Sequence, residues 1–455
     1  MPLRRSAADD GNDGRGNVNV SVNNHKNKRE AISPPPLKRR RMQTLQSSTQ
    51  ASGNNVDGDR NSFRLFSWNI NGIDAFLPPQ HTKIISFFKP TTPNSGNGPP
   101  RDPFFTPPNS LRLFLARHGW PEVVFLQELK IKPSDSHVLA SLLASLNSPL
   151  NPQDRLADDR TYNLDAVLPR DRFNTKVFQG KLYGVGTLLR RDFVKKHVER
   201  VRDVEWDLEG RVSIVETNAL ASSGSGRPLA LVNVYAVNGT TAPYRSPQDG
   251  TVIGTRHGHK LAFHSHLRDE CLDLEDRGFD VVVAGDLNVA RGTLDGHPNL
   301  RISPRQHAAN RADFNAKFFG GEQDDGSNAM MRDGGVNRDV DADVEMDGME
   351  VEEDVASLPG SSHSQEEYHP QGPSGAITPC LNAVDVFRAL HGSERRYTYY
   401  PRTREWGSSC DRVDLIFVSK RLWDDGRVLD TGILDTPQER GPSDHVPLWV
   451  EIALG

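Results

Sequence analysis

Six short stretches of the chain put carboxylates, amides and one histidine where apolar runs stop. They are Ser67-Trp68-Asn69-Ile70-Asn71-Gly72, Phe125-Leu126-Gln127-Glu128-Leu129-Lys130, Asn233-Val234-Tyr235-Ala236-Val237-Asn238, Gly285-Asp286-Leu287-Asn288-Val289-Ala290, Cys410-Asp411-Arg412-Val413-Asp414 and Pro442-Ser443-Asp444-His445-Val446-Pro447. Oxygen donors of this kind hold hard cations, and carboxylate and imidazole groups move protons. Strand ends are rigid places to mount them. Each stretch alone has an ordinary explanation. Gly-Asp-Leu-Asn is made of turn formers, Glu128 suits the first turn of a helix, and Ser443-Asp444-His445 suits a loop with a satisfied histidine. Six of them in this order point to one shared site.

The elements that position them can be read from hydropathy and from breakers. Phe63 to Trp68 is an uninterrupted aromatic and apolar strand, and Val123 to Gln127 is a buried one. Tyr183 to Arg190, Arg211 to Glu216, Leu229 to Val237 and Asp280 to Ala284 are rich in Val, Leu and Tyr. Asp414 to Ser419 and Val446 to Ile452 are the last strands. Leu111 to His118 is a short amphipathic helix stopped by Gly119 and Pro121, and Ser134 to Leu146 is a second. Leu267, Cys271 and Leu274 at helical spacing predict a long helix over 256–277. This mixture predicts two packed sheets flanked by helices.

Taken in order, the motifs resemble the exonuclease III/AP endonuclease branch of the endonuclease/exonuclease/phosphatase superfamily. The resemblance rests on Trp68-Asn69-Ile70-Asn71-Gly72, Leu126-Gln127-Glu128-Leu129-Lys130, Glu209-Gly210-Arg211, Val234-Tyr235-Ala236-Val237-Asn238, Gly285-Asp286-Leu287-Asn288-Val289-Ala290 and Ser443-Asp444-His445. It spans 63–455 and implies a DNase I-like α/β (α+β) fold: a four-layer sandwich of two mixed sheets flanked by helices, with the site at one end.

The activity the resemblance implies is that of a Mg²⁺-dependent DNA phosphodiesterase of base excision repair, with Mn²⁺ as an alternative ion. It would act as AP endonuclease, 3′-exonuclease or 3′-phosphodiesterase. A phosphodiester is an anion, so attack by water needs charge neutralisation, which a hard cation with oxygen ligands supplies. By the same resemblance Glu128 is the leading metal ligand, with Asn69, Asn71, Asp286, Asn288, Asp444 and His445 around the ion. Asp286 orients or deprotonates the water and Asn288 holds the water or the phosphate. His445 stabilises the transition state, oriented by Asp414. Tyr235 hydrogen-bonds the phosphate or assists the leaving group. Asn238, Arg211, Lys130 and Tyr399 fall on the substrate side, Arg211 as a structural or a phosphate-side residue. The implied partner is double-stranded DNA with abasic or 3′-blocked lesions, and the implied state is a monomer.

Two positions depart from the family pattern. Asp74 stands where an arginine often contacts DNA phosphate, and Asp411 where an aromatic often lines the abasic-sugar pocket. Tyr399 remains as the pocket aromatic or as core. Cys410-Asp411-Arg412 also resembles inositol polyphosphate 5-phosphatases of the same superfamily, whereas Val413-Asp414 returns to the exonuclease III pattern. The competing readings are a relative acting on another phosphate ester (an inositol phosphate, an RNA tail or a protein–DNA adduct) and an inactive scaffold that binds partners. The intact polar set argues against the second.

Composition bounds the rest. The chain has 455 residues, 35% of them hydrophobic, and a net charge of −5. Residues 321–370 hold 15 acidic residues against Arg332 and Arg338, while residues 1–60 hold 11 basic and 6 acidic residues. What remains is weakly positive, as a nucleic-acid-binding body can be. Residues 1–60 read as a disordered basic tail, 61–455 as the catalytic domain, 90–110 as a Pro/Gly-rich insertion and 321–370 as a disordered acidic insertion, a spacer or a surface for protein partners. Lys26-Asn27-Lys28-Arg29 and Lys38-Arg39-Arg40-Arg41 resemble a bipartite import signal, so a nuclear location is expected. Cys271, Cys380 and Cys410 form neither a disulfide framework nor a zinc pattern, which fits a reducing compartment. No apolar run reaches the length of a membrane span and no apolar signal core precedes the domain, so a soluble, non-secreted protein is expected. His257, His259, His264 and His266 lack the partners of a zinc site and read as the surface of a helix.

Overall fold

The computed structural model describes residues 61–77, 109–132, 134–135, 137–175, 180–219, 226–320 and 379–454. The import-signal clusters, most of the Pro/Gly-rich insertion and the acidic insertion fall outside these residues. Sixteen strands occur among them. They are β1 (Ser62–Asn69), β2 (Val123–Gln127), β3 (Tyr162–Val167), β4 (Val185–Arg190), β5 (Val198–Arg202), β6 (Val212–Thr217), β7 (Leu229–Tyr235), β8 (Pro243–Arg245), β9 (Val252–Thr255), β10 (Asp280–Asp286), β11 (Gly296–His297), β12 (Val384–Asp385), β13 (Cys410–Asp411), β14 (Asp414–Val418), β15 (Val428–Ile433) and β16 (Leu448–Ala453). The helices are α1 (Leu111–Arg117), α2 (His137–Leu146), α3 (Arg191–His197), α4 (Arg256–Asp276), α5 (Gln306–Phe319), α6 (Val386–His391), α7 (Lys420–Asp424) and α8 (Pro437–Arg440).

Two six-stranded sheets run in the orders β15-β16-β1-β2-β4-β3 and β12-β14-β10-β7-β6-β5. Each is mixed: β1 is parallel to β2 and β7 parallel to β10, while β16 and β14 run antiparallel to their neighbours. Phe63, Leu65, Val123 and Phe125 of one sheet meet Leu229, Leu231, Val282, Ala284 and Ile416 of the other in a shared core. The opposite face of the first sheet is covered by α1 and α2 through Phe114, Leu115, Leu142 and Leu146. That of the second is covered by α4 and α5 through Phe263, Leu267, Phe314 and Phe318. The result is a four-layer α/β sandwich, as the sequence predicts.

Strand periodicity explains how this core carries a polar end. Alternate residues of a strand face one side. On β1 the side facing the other sheet reads Phe63, Leu65, Ser67, Asn69; on β2 it reads Val123, Phe125, Gln127; on β7, Leu229, Leu231, Asn233, Tyr235; on β10, Val282, Ala284, Asp286. Each face is apolar for two positions and then turns polar. The third positions satisfy one another within and between the sheets. Gln127 Nε2 donates to Ser67 Oγ of its own sheet (3.1 Å) and across the gap to Asn233 Oδ1 (2.8 Å), and Thr187 Oγ1 of β4 donates across it to Ser213 Oγ of β6 (3.3 Å). Buried polar atoms paired in this way avoid the cost of unmet hydrogen bonds and fix the alignment of the sheets.

β10 approaches β7 so closely that a side chain at Gly285 has no room. A Cβ there would lie 1.9 Å from the carbonyl oxygen of Val234. Gly285→Ala must therefore push the two strands apart next to Asp286. It is expected to cost about 3 kcal/mol, measured as a lowered midpoint in chemical denaturation. An unchanged midpoint would show that the strands tolerate the separation.

Where the sequence reading missed elements, the local signal was weak. β3 alternates buried, exposed and half-buried residues, and β8–β9 is a hairpin with every strand residue exposed or half-buried. α5 carries its apolar residues mostly in its last turns. No helix among the described residues is long and apolar enough to cross a membrane.

Candidate active site

The polar ends of β1, β2, β7 and β10, the start of β14 and the segment before β16 converge. The amide of Asn69 stands between the two sheets: its Nδ2 donates to Glu128 Oε1 (2.9 Å) and to Asp286 Oδ2 (3.0 Å). Its Oδ1 accepts from the backbone N–H of Asn71 (3.0 Å), and Asn71 Nδ2 donates to Asp444 Oδ1 (2.9 Å). Lys130 Nζ lies 2.8 Å from Glu128 and also donates to Asn71 Oδ1. On the other side His445 Nδ1 pairs with Asp414 Oδ2 (2.7 Å), while its Nε2 lies 4.0 Å from Asp286 Oδ2. Asp286 Oδ1 accepts the N–H of Asn288 (2.9 Å). Tyr399 packs its ring 5.0 Å from that of His445. Tyr235 is buried against Tyr183, with ring centroids 5.4 Å apart.

The backbone is bent for this purpose. Asn71, Glu128, Lys130 and Asn288 all have φ between 50° and 56°. The left-handed region is uncommon for residues other than glycine, and such conformations gather where function demands them. Sequence motifs name these residues but give no sign that four of them take this conformation.

Several supporting residues were missed. Ser443 Oγ donates to Asn69 O (2.7 Å) and accepts from His445 N (3.0 Å). Thr398 Oγ1 accepts from Asp414 N (3.0 Å), and Trp68 Nε1 donates to His445 O (3.0 Å). Lys260 is buried and donates from Nζ to Asn288 O (2.7 Å). Burial alone makes Lys260 notable: a lysine with that little exposure is rare unless it holds something in place.

The electrostatics divide the site. Burial works to raise the Glu128 carboxyl, but the Lys130 charge and hydrogen bonds from Lys130 and Asn69 hold it below its ordinary range. Asp286 goes the other way: burial, then the Asp414 and Glu128 charges, push it up to about 7 against the pull of His445. Burial disfavours the charged His445 ring, yet Asp414, Asp286 and Asp444 hold its pKa well above the usual histidine value. Burial raises the Tyr235 phenol far above its ordinary range, so it stays a donor.

Oxygen donors that could hold a hard cation stand together here: Glu128 and Asp286 share the Asn69 amide, and Glu128 keeps a carboxylate at the site with Lys130 beside it. Asp286, Asp414 and His445 also lie close enough to share an ion. Asp414 and His445 are engaged with each other, so of the expected ligands the oxygen set around Glu128 suits a hard cation through oxygen donors, and His445 offers one nitrogen beside it.

Of the two readings offered for Arg211, the structural one fits its surroundings: it is buried, paired with Glu209 (2.7 Å), and donates to Tyr235 O (3.2 Å), so it braces the end of β7. One expectation is corrected. The α4 histidines are not all surface groups. His264 is buried with Nδ1 2.8 Å from Asp313, whereas His259 lies 3.1 Å from Glu209 and His266 stacks on Trp206. Asn238 is exposed three residues beyond Tyr235. Asp74, largely exposed, pairs with Lys181 (2.5 Å). Asp411 is buried and paired with Arg301 (2.9 Å), and burial, against Arg301 and Arg311, pushes its carboxyl up to about 6.

The chain belongs to the endonuclease/exonuclease/phosphatase family, whose sequence profile matches residues 66–445. Solved structures similar to it include the catalytic domain of Xenopus laevis APE2, with 16% identity over 86% of this chain and 91% of that one and a TM-score of 0.47. AP endonuclease LMAP from Leishmania major has 17% identity over 86% and 88%, with a TM-score of 0.47. The 3′ phosphatase NExo from Neisseria, bound to a product DNA hairpin, has 15% identity over 86% and 99%, with a TM-score of 0.44. No curated protein matches the sequence significantly.

Proposed function

We propose that this protein is a Mg²⁺-dependent DNA phosphodiesterase of the exonuclease III/AP endonuclease branch, working in base excision repair as AP endonuclease, 3′-exonuclease or 3′-phosphodiesterase. The observation that carries this reading is the Asn69 amide, which joins Glu128 of one sheet to Asp286 of the other. It sets the cation side and the water side of the site against each other across one hydrogen-bonded bridge. The motif order along the chain supports the same branch. The two basic clusters at 26–29 and 38–41 make it a nuclear protein in this reading.

Glu128, with Asn69, Asn71 and Asp444 close by, would hold the cation, which would supply neutralisation of the phosphate charge. Asp286 accepts the proton of the attacking water, its carboxylate fixed by the N–H of Asn288 and the amide of Asn69. His445 donates from Nε2 to the oxygen on which charge builds, because Nδ1–H is committed to Asp414. Tyr235, kept protonated, donates to the phosphate or the departing oxygen.

A second reading, hydrolysis of another phosphate ester, is favoured by one observation: a buried carboxylate, Asp411, stands where a pocket aromatic is expected. One assay separates the two. The purified chain with Mg²⁺ is given a duplex with a single abasic analogue, an intact duplex, a 3′-phosphoglycolate end, an RNA strand and an inositol polyphosphate. Incision or trimming of the damaged duplexes is expected. Turnover of the inositol phosphate alone would install the second reading.

A further inference from the structure

Three short segments form a ribbon beside the catalytic histidine. Tyr399 pairs across the backbone with His445 on one side and with Asp411 on the other. Residues directly opposite each other in such pairing point to the same face. His445, Tyr399 and Asp411 therefore form a row, and the 5.0 Å between the Tyr399 and His445 rings bears this out. Asp411 stands two strand spacings, about 10 Å, from His445.

Arg301 lies at the end of this row. Its Nε is 2.9 Å from Asp411 and its guanidinium carbon is 6.0 Å from the centre of the Tyr399 ring. The Arg301 side chain is 47% exposed, while that of Asp411 is 7% exposed. The loop that carries Arg301 is built to bring it back over Asp411. Gly296 pairs with Asp411 in β11–β13, and a Cβ on Gly296 would lie 2.7 Å from Leu300 Cα, so only glycine permits the return. Arg311 then ties the loop down, donating to Arg301 O (2.8 Å) and to Ala290 O (2.7 Å), two residues beyond Asn288.

Stability does not account for this arrangement. An ion pair with one half-exposed partner contributes little, and a buried carboxylate is costly unless well compensated. What the pair does achieve is placement: Asp411 holds the Nε end of a fork that has five donors beside the row, and the Arg301 side chain stays half-exposed there. We propose that Arg301, aimed by Asp411, binds a non-scissile backbone phosphate of the nucleic-acid substrate, so that the wall of the site beyond Tyr399 reads a charge where an aromatic would read an apolar sugar. This inference rests on the function proposed above and specifies its substrate as a strand that continues, with its phosphates, past the cleaved bond on the Tyr399 side.

The test uses the full chain with Mg²⁺ and an oligonucleotide duplex that it cleaves. A parallel set replaces single non-scissile phosphates near the cleaved bond by uncharged methylphosphonates. Arg301→Gln is expected to raise KM about 10-fold with kcat within about threefold, and to reduce the slope of log(kcat/KM) against log salt by about one. At one methylphosphonate position the wild type should lose a similar factor and the variant nothing further. Asp411→Asn, which keeps the shape but removes the aiming charge, should reproduce part of the KM increase. An unchanged KM in Arg301→Gln, or equal losses for both proteins at every position, overturns the assignment. If the wild type cleaves no oligonucleotide at all, it is the proposed function that fails, and that is seen before any variant is compared.

Discussion

Asp286→Asn is expected to lower kcat by about 10³-fold or more while the protein stays folded. The asparagine keeps the shape and can still accept from Asn69 or from the N–H of Asn288, so the loss reports the missing base. The same change should make the protein more stable. Burial and the Asp414 and Glu128 charges push the Asp286 carboxyl up to about 7. The folded state therefore binds this proton more tightly than the unfolded chain does. The group's contribution to stability then falls as pH rises from the ordinary carboxylate range towards about 7. At pH 8 without divalent ions the variant should unfold later than the wild type, by on the order of 1 kcal/mol. Added Mg²⁺ should raise the wild-type midpoint more than the variant's, since the ion favours the ionised carboxylate. Turnover within tenfold of wild type would remove Asp286 from the chemistry, whatever the melting shows.

The second large effect belongs to His445 and its partner. His445→Ala removes the imidazole whose Nε2 lies 4.0 Å from Asp286 and should cost about 10²- to 10³-fold in kcat with a small change in KM. Asp414→Asn is the more telling variant. Asp414 is the main group that holds the imidazole protonated, against a burial term that acts the other way. The activity of the wild type should therefore persist above the usual histidine range and decline only at higher pH. In Asp414→Asn that alkaline decline should move down by at least about one pH unit, because the charge that sustained it is gone. An alkaline limb that stays put in Asp414→Asn means that His445 does not act as a protonated donor.

Much of this was legible in the chain. The core strands announce themselves by Val, Leu and Phe, and the site by the abrupt arrival of Asn69, Glu128, Asp286 and His445 at their ends. What could not be read is three-dimensional. Nothing in the string Glu209-Gly210-Arg211 says that the arginine turns inward to Glu209 and not outward to a phosphate. Helical spacing places His264 and His266 on α4 but leaves open that α5 buries the first and not the second. The left-handed turns at Asn71 and Asn288 suit asparagine, but those at Glu128 and Lys130 are imposed by tertiary contacts that local propensity does not contain. Arg301 was invisible because its meaning comes from Asp411, more than a hundred residues away.

The Asn69 bridge has one more implication. Glu128 is mounted on one sheet and Asp286 on the other, so the working distance between them is a measure of how the two sheets are docked. A shear of the sandwich by a fraction of a residue would leave both strands intact and every side chain present, yet separate the two halves of the reaction. Turnover should thus act as a gauge of sheet registration, fading under mild denaturant or after repacking of the layer around Phe125 and Leu231 well before the strands themselves come apart.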